Sequence, residues 1–425
     1  MNDATRPAPL RLLRRLATWL LLACCVAAVT GAAAALFLSA LDWAGATRIA
    51  HRELIWLLPI AGFAVGWVYL RIGQRAERGT ALVIAAIDAP QTALPLRMAP
   101  LVFGATVISH LFGASVGREG TAVQMGGVLA DRVARAFRLA EADRPLVLMA
   151  GIGAGFAAVF GTPLAGAVFA LEIAARRRHA PSPFSARLRA RLHALTLCLV
   201  AAVAADRVGQ MLGVRHAHYA IASLPQPSLR TWAAIALAGA LFGFAAFAFV
   251  RATRAIGGAM QRHVRYAPLR PFIGGAVIAA AVFAFGADRY VGLGLPTIAA
   301  AFAQPLPFYD FLAKMASTAV SLGSGFKGGE VTPLFYIGAT LGNALAPLLQ
   351  LPVALLAGLG LAAVFAGATS TPLASTLMAI ELFGADVGLY AALACTVSHL
   401  ASGRTGIYKP QTEAANTPPL NEHAP

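Results

Sequence analysis

Residues 113–127 read GASVGREGTAVQMGG and place a charged pair, Arg118 and Glu119, between glycines in an apolar chain. A carboxylate inside a membrane costs about 2.5–3.5 kcal/mol on insertion scales, so its presence there points to a function. Glycines before a helix let backbone N–H groups approach a ligand, and the helix start carries a partial positive charge. The stretch predicts a helix start that binds an anion, with Glu119 as a protonatable competitor of that anion. The alternative is that Glu119 only pairs with Arg118 at a membrane edge.

The composition of the whole chain is that of a membrane protein. Of 425 residues, 58% are hydrophobic and 12% are charged, and the mean hydropathy is +0.70, whereas soluble domains carry about 25% charged residues. Apolar stretches long enough to cross about 30 Å of hydrocarbon recur along the chain. We predict an all-α polytopic membrane protein with about ten or more membrane segments, several of them broken into half-helices by glycine.

The net charge of +16 comes from short arginine clusters beside apolar runs. Such clusters fit cytoplasmic loops under the positive-inside rule, so the charge does not indicate a nucleic-acid partner. We expect residues 1–15 to be a basic cytoplasmic N-terminus and the protein to be a multi-pass protein of the cell (inner) membrane. No H-E-x-x-H or Walker A motif occurs, so no metal and no cofactor are expected.

An internal repeat divides the chain. Residues 157–172 read AAVFGTPLAGAVFALE and residues 362–381 read AAVFAGATSTPLASTLMAIE, with the final glutamate at the same distance after the proline in both. Residues 113–127 match the stretch that begins at Gly323 more loosely. The repeat predicts two related membrane halves, 16–215 and 216–408.

Three further glutamates follow from the repeat. Glu172 and Glu381 end apolar runs and are interpreted as structural anchors at helix ends. Glu330, in FKGGEVTP, precedes an apparent helix start as Glu119 does, with Lys327 near enough to be a simple ionic partner. Two such helix starts in corresponding halves are typical of a transporter site and hold a small anion without a full positive charge. The polar tail, 409–425, is expected to be disordered.

At these residues the sequence resembles the CLC family of chloride channels and anion/proton exchangers, from about residue 16 to Tyr408. GREG matches the family's G-R/K-E-G-P motif, GTPLAGAVFALE matches the helix pair that follows it, and GGEVTP matches the G-x-F-x-P segment of the second half. The resemblance implies a CLC-type fold of two inverted-topology repeats, a homodimer with one pathway in each subunit, and anions and protons as the transported partners.

The resemblance also assigns site residues. Glu119 corresponds to the gating glutamate, and the backbone amides of the second-half loop belong to Glu330 and Val331. Tyr408, in RTGIYKP, corresponds to the family's late tyrosine, and Thr80, in RGTALV, stands where the family has a serine. The glycines of the two pore loops are Gly117, Gly120, Gly328 and Gly329.

Several departures from the family pattern favour its fluoride/proton antiporter branch. Thr121 replaces the proline after GREG, Glu330 stands where chloride-handling members have an apolar residue, and the G-S-G-I-P loop is missing. Ile173 occupies the position of the inner proton glutamate of the chloride exchangers, so by resemblance Glu330 is the candidate for the inner proton route. Fluoride is small and strongly hydrated, and hydroxyl, amide and protonated carboxyl groups are donors strong enough to replace its water.

Three functions are therefore considered. The leading hypothesis is a fluoride/proton antiporter that exports cytoplasmic fluoride, driven by the proton gradient. The second is a chloride channel or chloride/proton exchanger of the same fold. The third is an intramembrane serine hydrolase, because GASVG satisfies G-x-S-x-G with Ser115 as nucleophile and His110 or His399 as base.

Overall fold

The structure, a computed structural model, describes residues 8–73, 75–89, 92–174, 184–217, 219–403 and 406–408. Regular structure in these residues is helical, apart from one bridged pair of glycines. The α-helices are α1 (Ala8–Ala50), α2 (Leu58–Ile72), α3 (Gly79–Asp88), α4 (Met98–Leu111), α5 (Glu119–Ala136), α6 (Arg144–Phe160), α7 (Pro163–Ala174), α8 (Phe184–Met211), α9 (Leu229–His263), α10 (Leu269–Phe285), α11 (Leu295–Ala303), α12 (Asp310–Ser324), α13 (Val331–Leu349), α14 (Val353–Thr369), α15 (Pro372–Phe383) and α16 (Gly388–Ala401). Short 3-10 helices cover Arg52–Leu57, Ala76–Arg78, Ala287–Tyr290 and Ala385–Val387.

Helix length separates full membrane crossings from half-helices. Within the described ranges, five helical segments are long and apolar enough to cross a membrane: Leu16–Ala50, Arg52–Ile72, Ala190–Met211, Leu229–His263 and Val331–Leu349. Others are too short; α3 has 10 residues and spans about 15 Å at 1.5 Å per residue. A helix that stops inside the bilayer must end where protein groups satisfy its backbone. The prediction of an all-α membrane protein with broken half-helices is confirmed.

Equivalent helix pairs in the two halves pack in the same way. The helix α5 packs on α6 in the first half, and α13 packs on α14 in the second. At the first crossing Gly126 faces Gly151, and at the second Gly338 faces Gly360; a methyl group on any of these glycines would overlap the carbonyl oxygen of its partner. Small residues let membrane helices approach this closely. The repeat seen in the sequence is therefore also a repeat of helix packing.

The two halves also hold each other through a reciprocal pair of carboxylates. The oxygens of Glu381, in the last turn of α15, accept hydrogen bonds from two first-turn N–H groups of α7 at 2.9 and 2.8 Å. In the same way, the carboxylate oxygens of Glu172, near the end of α7, accept hydrogen bonds from two first-turn N–H groups of α15 at 3.1 and 2.7 Å. A carboxylate satisfies the unpaired N–H groups of a helix start and its partial positive charge. These contacts agree with the interpretation of both glutamates as structural anchors.

The predicted segment boundaries compare with the helices as follows. The boundary between residues 215 and 216 falls between the end of α8 at Met211 and the start of α9 at Leu229. The first helix begins at Ala8, inside the segment 1–15 that was expected to precede the membrane, so the helix extends beyond the apolar run. Residues 1–7 and the tail 409–425 lie outside the described residues.

The distribution of charge orients the molecule. The ends of α2 and α9 lie together, because both line a cavity of about 280 Å³ that also contains Arg254, Arg270 and Lys327. From the positive-inside rule we predict that this face is cytoplasmic. The segment Arg52–Ile72 is long enough to cross the membrane from there, so Arg52 and the end of α1 lie at the opposite face, which is called the external face below.

A buried ion-pair network joins α5 to α6. Asp131 is buried, and its carboxylate accepts from Arg144 Nε at 2.5 Å, Arg135 Nε at 3.2 Å and the Leu94 N–H at 3.1 Å. Arg144 also donates to the Thr92 carbonyl at 2.6 Å. The network thus connects the segment before α4 to both helices of the tight pair.

Replacing Asp131 with Ala should destabilise the fold strongly, because it leaves the buried guanidinium of Arg144 without its carboxylate. Removing one partner of a buried ion pair costs about 3–5 kcal/mol. The measurement is thermal unfolding of the purified protein in detergent. Arg132→Ala is the matched control, since Arg132 is the next residue of α5 but is exposed. Equal melting temperatures for the two variants would contradict the prediction.

Candidate functional site

The two glycine-rich loops meet inside the protein. Gly117 and Gly329 form an antiparallel bridge, with the Gly117 N–H 2.5 Å from the Gly329 carbonyl and the Gly329 N–H 2.7 Å from the Gly117 carbonyl. A methyl group on Gly120 would lie 2.9 Å from the Gly329 Cα, and one on Gly328 would collide with Val116. The loops approach this closely only because glycines line both sides. The starts of α5 and α13 are thereby brought together.

The carboxylate of Glu119 lies between these two helix starts. Its side chain is 1% exposed. Thr332, in the first turn of α13, donates its N–H to Glu119 Oε2 at 3.0 Å. Its hydroxyl oxygen lies 2.5 Å from Oε1 and 2.6 Å from Oε2, so its one hydrogen is shared between the two carboxylate oxygens. The Arg118 N–H donates at 3.2 Å. The glutamate of one half therefore occupies the donors of the helix start of the other half.

An ion pair between Arg118 and Glu119 is also present. Arg118 Nε lies 3.4 Å from Glu119 Oε1, which is longer than the bonds from Thr332. This pair is at the junction of the two helix starts and is not an isolated pair at a membrane edge. The Arg118 guanidinium adds positive charge beside the junction, where the other donors to Glu119 are backbone N–H groups and a hydroxyl.

Glu330 lies on the other side of the same junction. It is the residue directly before α13, and its Oε2 is 3.5 Å from the position that a Gly120 Cβ would occupy. Among the ion pairs of the described residues none joins Glu330 to Lys327; the Lys327 ammonium instead lies 4.5 Å from the centre of the Tyr69 ring. Val331 begins α13, and first-turn N–H groups have no acceptor inside their own helix.

Thr80 lies at the start of α3 and is buried. Its Oγ1 accepts a hydrogen bond from Gln124 Nε2 at 3.1 Å. Gln124 lies on α5, little more than one turn beyond Glu119, so its amide connects the start of α3 to the helix that carries Glu119. Thr121, from the same helix, shares a hydrogen bond of 2.8 Å with Thr106 of α4.

A column of aromatic rings leads from Tyr408 to the neighbourhood of Glu119. The buried Tyr408 ring contacts Phe169 edge to face, with centroids 6.2 Å apart. Further contacts at 4.5 to 5.1 Å connect the rings of Phe169, Phe156, Phe160 and Phe335 in that order. The edges of aromatic rings carry partial positive charge. Tyr408 is therefore linked to the junction by a continuous apolar wall.

A cavity connects Glu119 to the external face. Its volume is about 740 Å³, and its lining extends from Asp42, near the end of α1, to Arg118, Glu119 and Thr332. Phe160 and Phe335 of the aromatic column line it as well. Water and ions from this side can thus approach the carboxylate with no further helix between them.

The serine of GASVG is a packing residue. Ser115 Oγ donates to the Tyr290 carbonyl at 2.9 Å and shares a hydrogen bond of 2.9 Å with the Thr318 hydroxyl. His110 bonds the Thr106 carbonyl through Nδ1 at 2.8 Å, and His399 lies in α16, at the end of the second half. The contacts of Ser115 tie the first pore loop to α12 and do not include a base.

Sequence reasoning had not assigned three elements of this site: Thr332, Gln124 and the phenylalanine column. Thr332 lies two residues after Glu330, and a hydroxyl in the first turn of a predicted helix was a usable signal. Neither Gln124 nor the phenylalanines differ in sequence from ordinary helix residues. Only their contacts identify them.

Comparison with known proteins agrees with this architecture. The family model described as "Voltage gated chloride channel" matches residues 61–403. A "Chloride/fluoride channel protein" of Pseudomonas syringae pv. tomato is 53% identical over 417 residues, which cover 97% of this chain and 90% of the relative. The "H(+)/Cl(-) exchange transporter ClcA" of Vibrio cholerae serotype O1 is 26% identical, covering 73% of this chain and 67% of the relative.

Solved structures show the same fold. A "CLC-type fluoride/proton antiporter" superposes with a TM-score of 0.86 at 34% identity, covering 92% of this chain and 97% of that one. A "slow cyanobacterial Cl-/H+ antiporter" superposes with a TM-score of 0.76 at 21% identity, covering 90% and 94%. Members of this family are transporters and channels, not enzymes, so the hydrolase hypothesis is wrong. The chain belongs to the voltage-gated chloride channel family and has the CLC fold.

Proposed function

We propose that the protein is a fluoride/proton antiporter that exports cytoplasmic fluoride and is driven by the inward proton gradient. The observation that carries the proposal is the position of the Glu119 carboxylate on the amide and hydroxyl of Thr332, where a small anion would bind. Two relatives support the choice of ion: the 53% identical protein is named for chloride and fluoride, and the 34% identical structure is named a fluoride/proton antiporter.

The geometry gives the exchange a simple physical basis. An ionised Glu119 satisfies the donors at the junction of α5 and α13 and blocks the path from the external cavity. Protonation removes its negative charge and weakens its hold on those donors, because hydrogen bonds to an ionised acceptor are about twice as strong as neutral ones. A fluoride ion then takes the same donors, and Glu119 carries the proton. The ionised Glu119 carboxylate and the fluoride ion thus bind the same donors in turn, and Glu119 carries a proton while fluoride is bound.

Glu330 is proposed as the next proton acceptor on the inner side. It lies beside Gly120 at the same junction, and Ile173, where the chloride exchangers have a carboxylate, has no ionisable group. The proposed anion path continues past Val331 to Thr80 and Tyr408, with Gly117, Gly120, Gly328 and Gly329 keeping the two loops close enough to share the ion.

The second candidate function, a chloride/proton exchanger or chloride channel, shares the fold. Relatives named H(+)/Cl(-) exchange transporters favour it. The hydroxyl of Thr332 and the protonated form of the Glu330 carboxyl group favour fluoride, since a strongly hydrated anion needs strong donors to replace its water.

We also propose a homodimer located in the cell (inner) membrane. The CLC resemblance supports the dimer, and the five long apolar segments support a membrane location. Cross-linking of the purified protein in detergent tests the dimer, and a monomer at all protein concentrations would contradict it.

The test of the proposed function is ion efflux from liposomes. Purified protein is reconstituted in liposomes loaded with fluoride or with chloride, and efflux is recorded with an ion-selective electrode while a pH electrode follows protons. We expect fluoride efflux with proton uptake and slow chloride efflux. Fast chloride efflux without proton movement would instead establish a channel.

The hydroxyl of Thr332 should contribute measurably to transport. Thr332→Val keeps the shape of the side chain and removes one donor to an ionised group, worth about 1.5–3 kcal/mol. Fluoride turnover in liposomes should fall by about tenfold or more. Thr340→Val is the matched control, because Thr340 is also buried in α13 but bonds the Tyr336 carbonyl of its own helix at 2.7 Å. Equal turnover in both variants would remove Thr332 from the proposed site.

A further inference from the structure

A second external cavity lies beside the first and is lined by none of the residues proposed to bind the anion or carry the proton. Its volume is about 620 Å³, and it lies between the end of α1, the 3-10 helix Arg52–Leu57 and the loop before α11. Its walls are largely apolar, with Leu41, Ile49 and Leu293 among them. The two external cavities share Asp42 and Leu295. An apolar cavity with this position is suited to hold an alkyl chain.

Charged groups of both signs stand around the cavity. Arg48, Arg52 and Arg289 line it together with Asp42 and Asp288. Arg48 Nη2 lies 3.0 Å from Asp288 Oδ1, so opposite charges already alternate in the wall. Such a set complements a headgroup that itself carries both signs better than it complements a simple anion.

One buried nitrogen of a residue in this wall, Arg48 Nε, has no hydrogen-bond partner among the described residues. Arg48 is 7% exposed. Buried polar atoms are nearly always paired, so an unpaired one calls for an explanation. A guanidinium nitrogen can only donate, so the group that is missing beside Arg48 is an acceptor.

Neighbouring tryptophans place the cavity at the surface of the bilayer. Trp43, next to Asp42, is 57% exposed, and Trp56, in the 3-10 helix that lines the cavity, is 53% exposed. Tryptophan concentrates at the level of the lipid headgroups. The apolar wall therefore lies where acyl chains begin, and the charged groups lie where headgroups are.

We propose that this cavity binds a phospholipid with a primary-amine headgroup, phosphatidylethanolamine, from the external leaflet. The lipid phosphate accepts from the guanidinium groups of Arg48 and Arg52, and the ammonium donates to the carboxylates of Asp42 and Asp288. The start of an acyl chain fills the apolar part. Phosphatidylcholine has the same phosphate but no N–H donor, so it satisfies only half of this set.

The test is native mass spectrometry of the protein in detergent after incubation with phosphatidylethanolamine, phosphatidylcholine or phosphatidylglycerol. We expect one retained phosphatidylethanolamine per chain, with occupancy about tenfold above that of phosphatidylcholine, as expected for a difference of about one hydrogen bond to a charged group. Equal retention of the two lipids, or preferred retention of phosphatidylglycerol, would overturn the assignment.

A pair of glycine variants locates the binding. Gly45 lines the cavity, and a Cβ added there meets nothing within 4 Å, so we expect Gly45→Leu to fill part of the cavity. Gly104, in α4, has equally open space but does not line it, so Gly104→Leu is the matched control. Phosphatidylethanolamine should be lost from the first variant and kept by the second, at equal thermal stability. Retention by both would place the lipid elsewhere and refute the site.

A charge variant checks the headgroup without filling the cavity. Asp42→Asn should reduce the preference for phosphatidylethanolamine over phosphatidylcholine, since it removes one partner of the ammonium. An unchanged preference in this variant would contradict the role given to the aspartates.

Discussion

Liposomes containing Glu119→Gln should show no proton uptake during fluoride efflux. Glutamine matches glutamate in size and accepts a hydrogen bond from Thr332, but it cannot take up or release a proton. Proton transfer groups contribute about 10²–10⁴-fold to rates, so we expect coupled proton movement to fall by at least about 100-fold, to the level of empty liposomes. The measurement is the simultaneous record of the fluoride and pH electrodes.

The glutamine side chain of Glu119→Gln should also change how strongly fluoride binds at the junction of α5 and α13. Glutamine carries no negative charge, so it competes less well than the carboxylate for the Thr332 donors. Fluoride binding to the purified variant, measured by titration calorimetry, should therefore be kept or strengthened while coupling is lost. Glu53→Gln is the control for reconstitution, because Glu53 is exposed at the external end of the molecule. Normal proton uptake in Glu119→Gln would refute the gating role.

The second large effect is expected for Glu330→Gln. Its carboxyl group lies at the junction beside Gly120 and is the proposed acceptor between Glu119 and the cytoplasm. Without a titratable group there, the proton on Glu119 has no inner partner, and proton uptake should again fall by at least about 100-fold. The Thr332 donors and the backbone N–H groups of the junction are not changed, and the glutamine amide offers an N–H in place of the carboxyl O–H, so calorimetric fluoride binding should persist.

Two comparisons make this result specific. Glu330→Asp keeps the carboxyl group and should restore part of the proton uptake that Glu330→Gln loses. Lys327→Gln tests the ionic partner that the sequence suggested for Glu330; because the Lys327 ammonium lies on the Tyr69 ring, coupling should survive this change. Proton uptake that is intact in Glu330→Gln would show that protons leave Glu119 by a route without this residue.

The sequence determined the class and plan of the protein. Long apolar runs, the repeated AAVF and TPLA segments and the glycine-flanked Glu119 and Glu330 predicted an all-α membrane protein of two halves with a helix start beside each glutamate. These features depend on local physics: apolar length, glycine next to a helix start, and the expense of a carboxylate in hydrocarbon. Because these causes are local, they produce patterns within short stretches of sequence, and such patterns can be recognised without knowing the fold.

Only the tertiary structure decided which groups meet. Glu119 is held by Thr332, which is 213 residues away, and Glu172 and Glu381 each bind the helix start of the other half. The aromatic column and the two external cavities likewise combine residues from distant helices. A hydrogen bond or a cavity depends on distances of a few ångströms between segments whose separation along the chain carries no such information. The sequence therefore identified the carboxylates of interest, and only the packing of the helices showed which groups contact them.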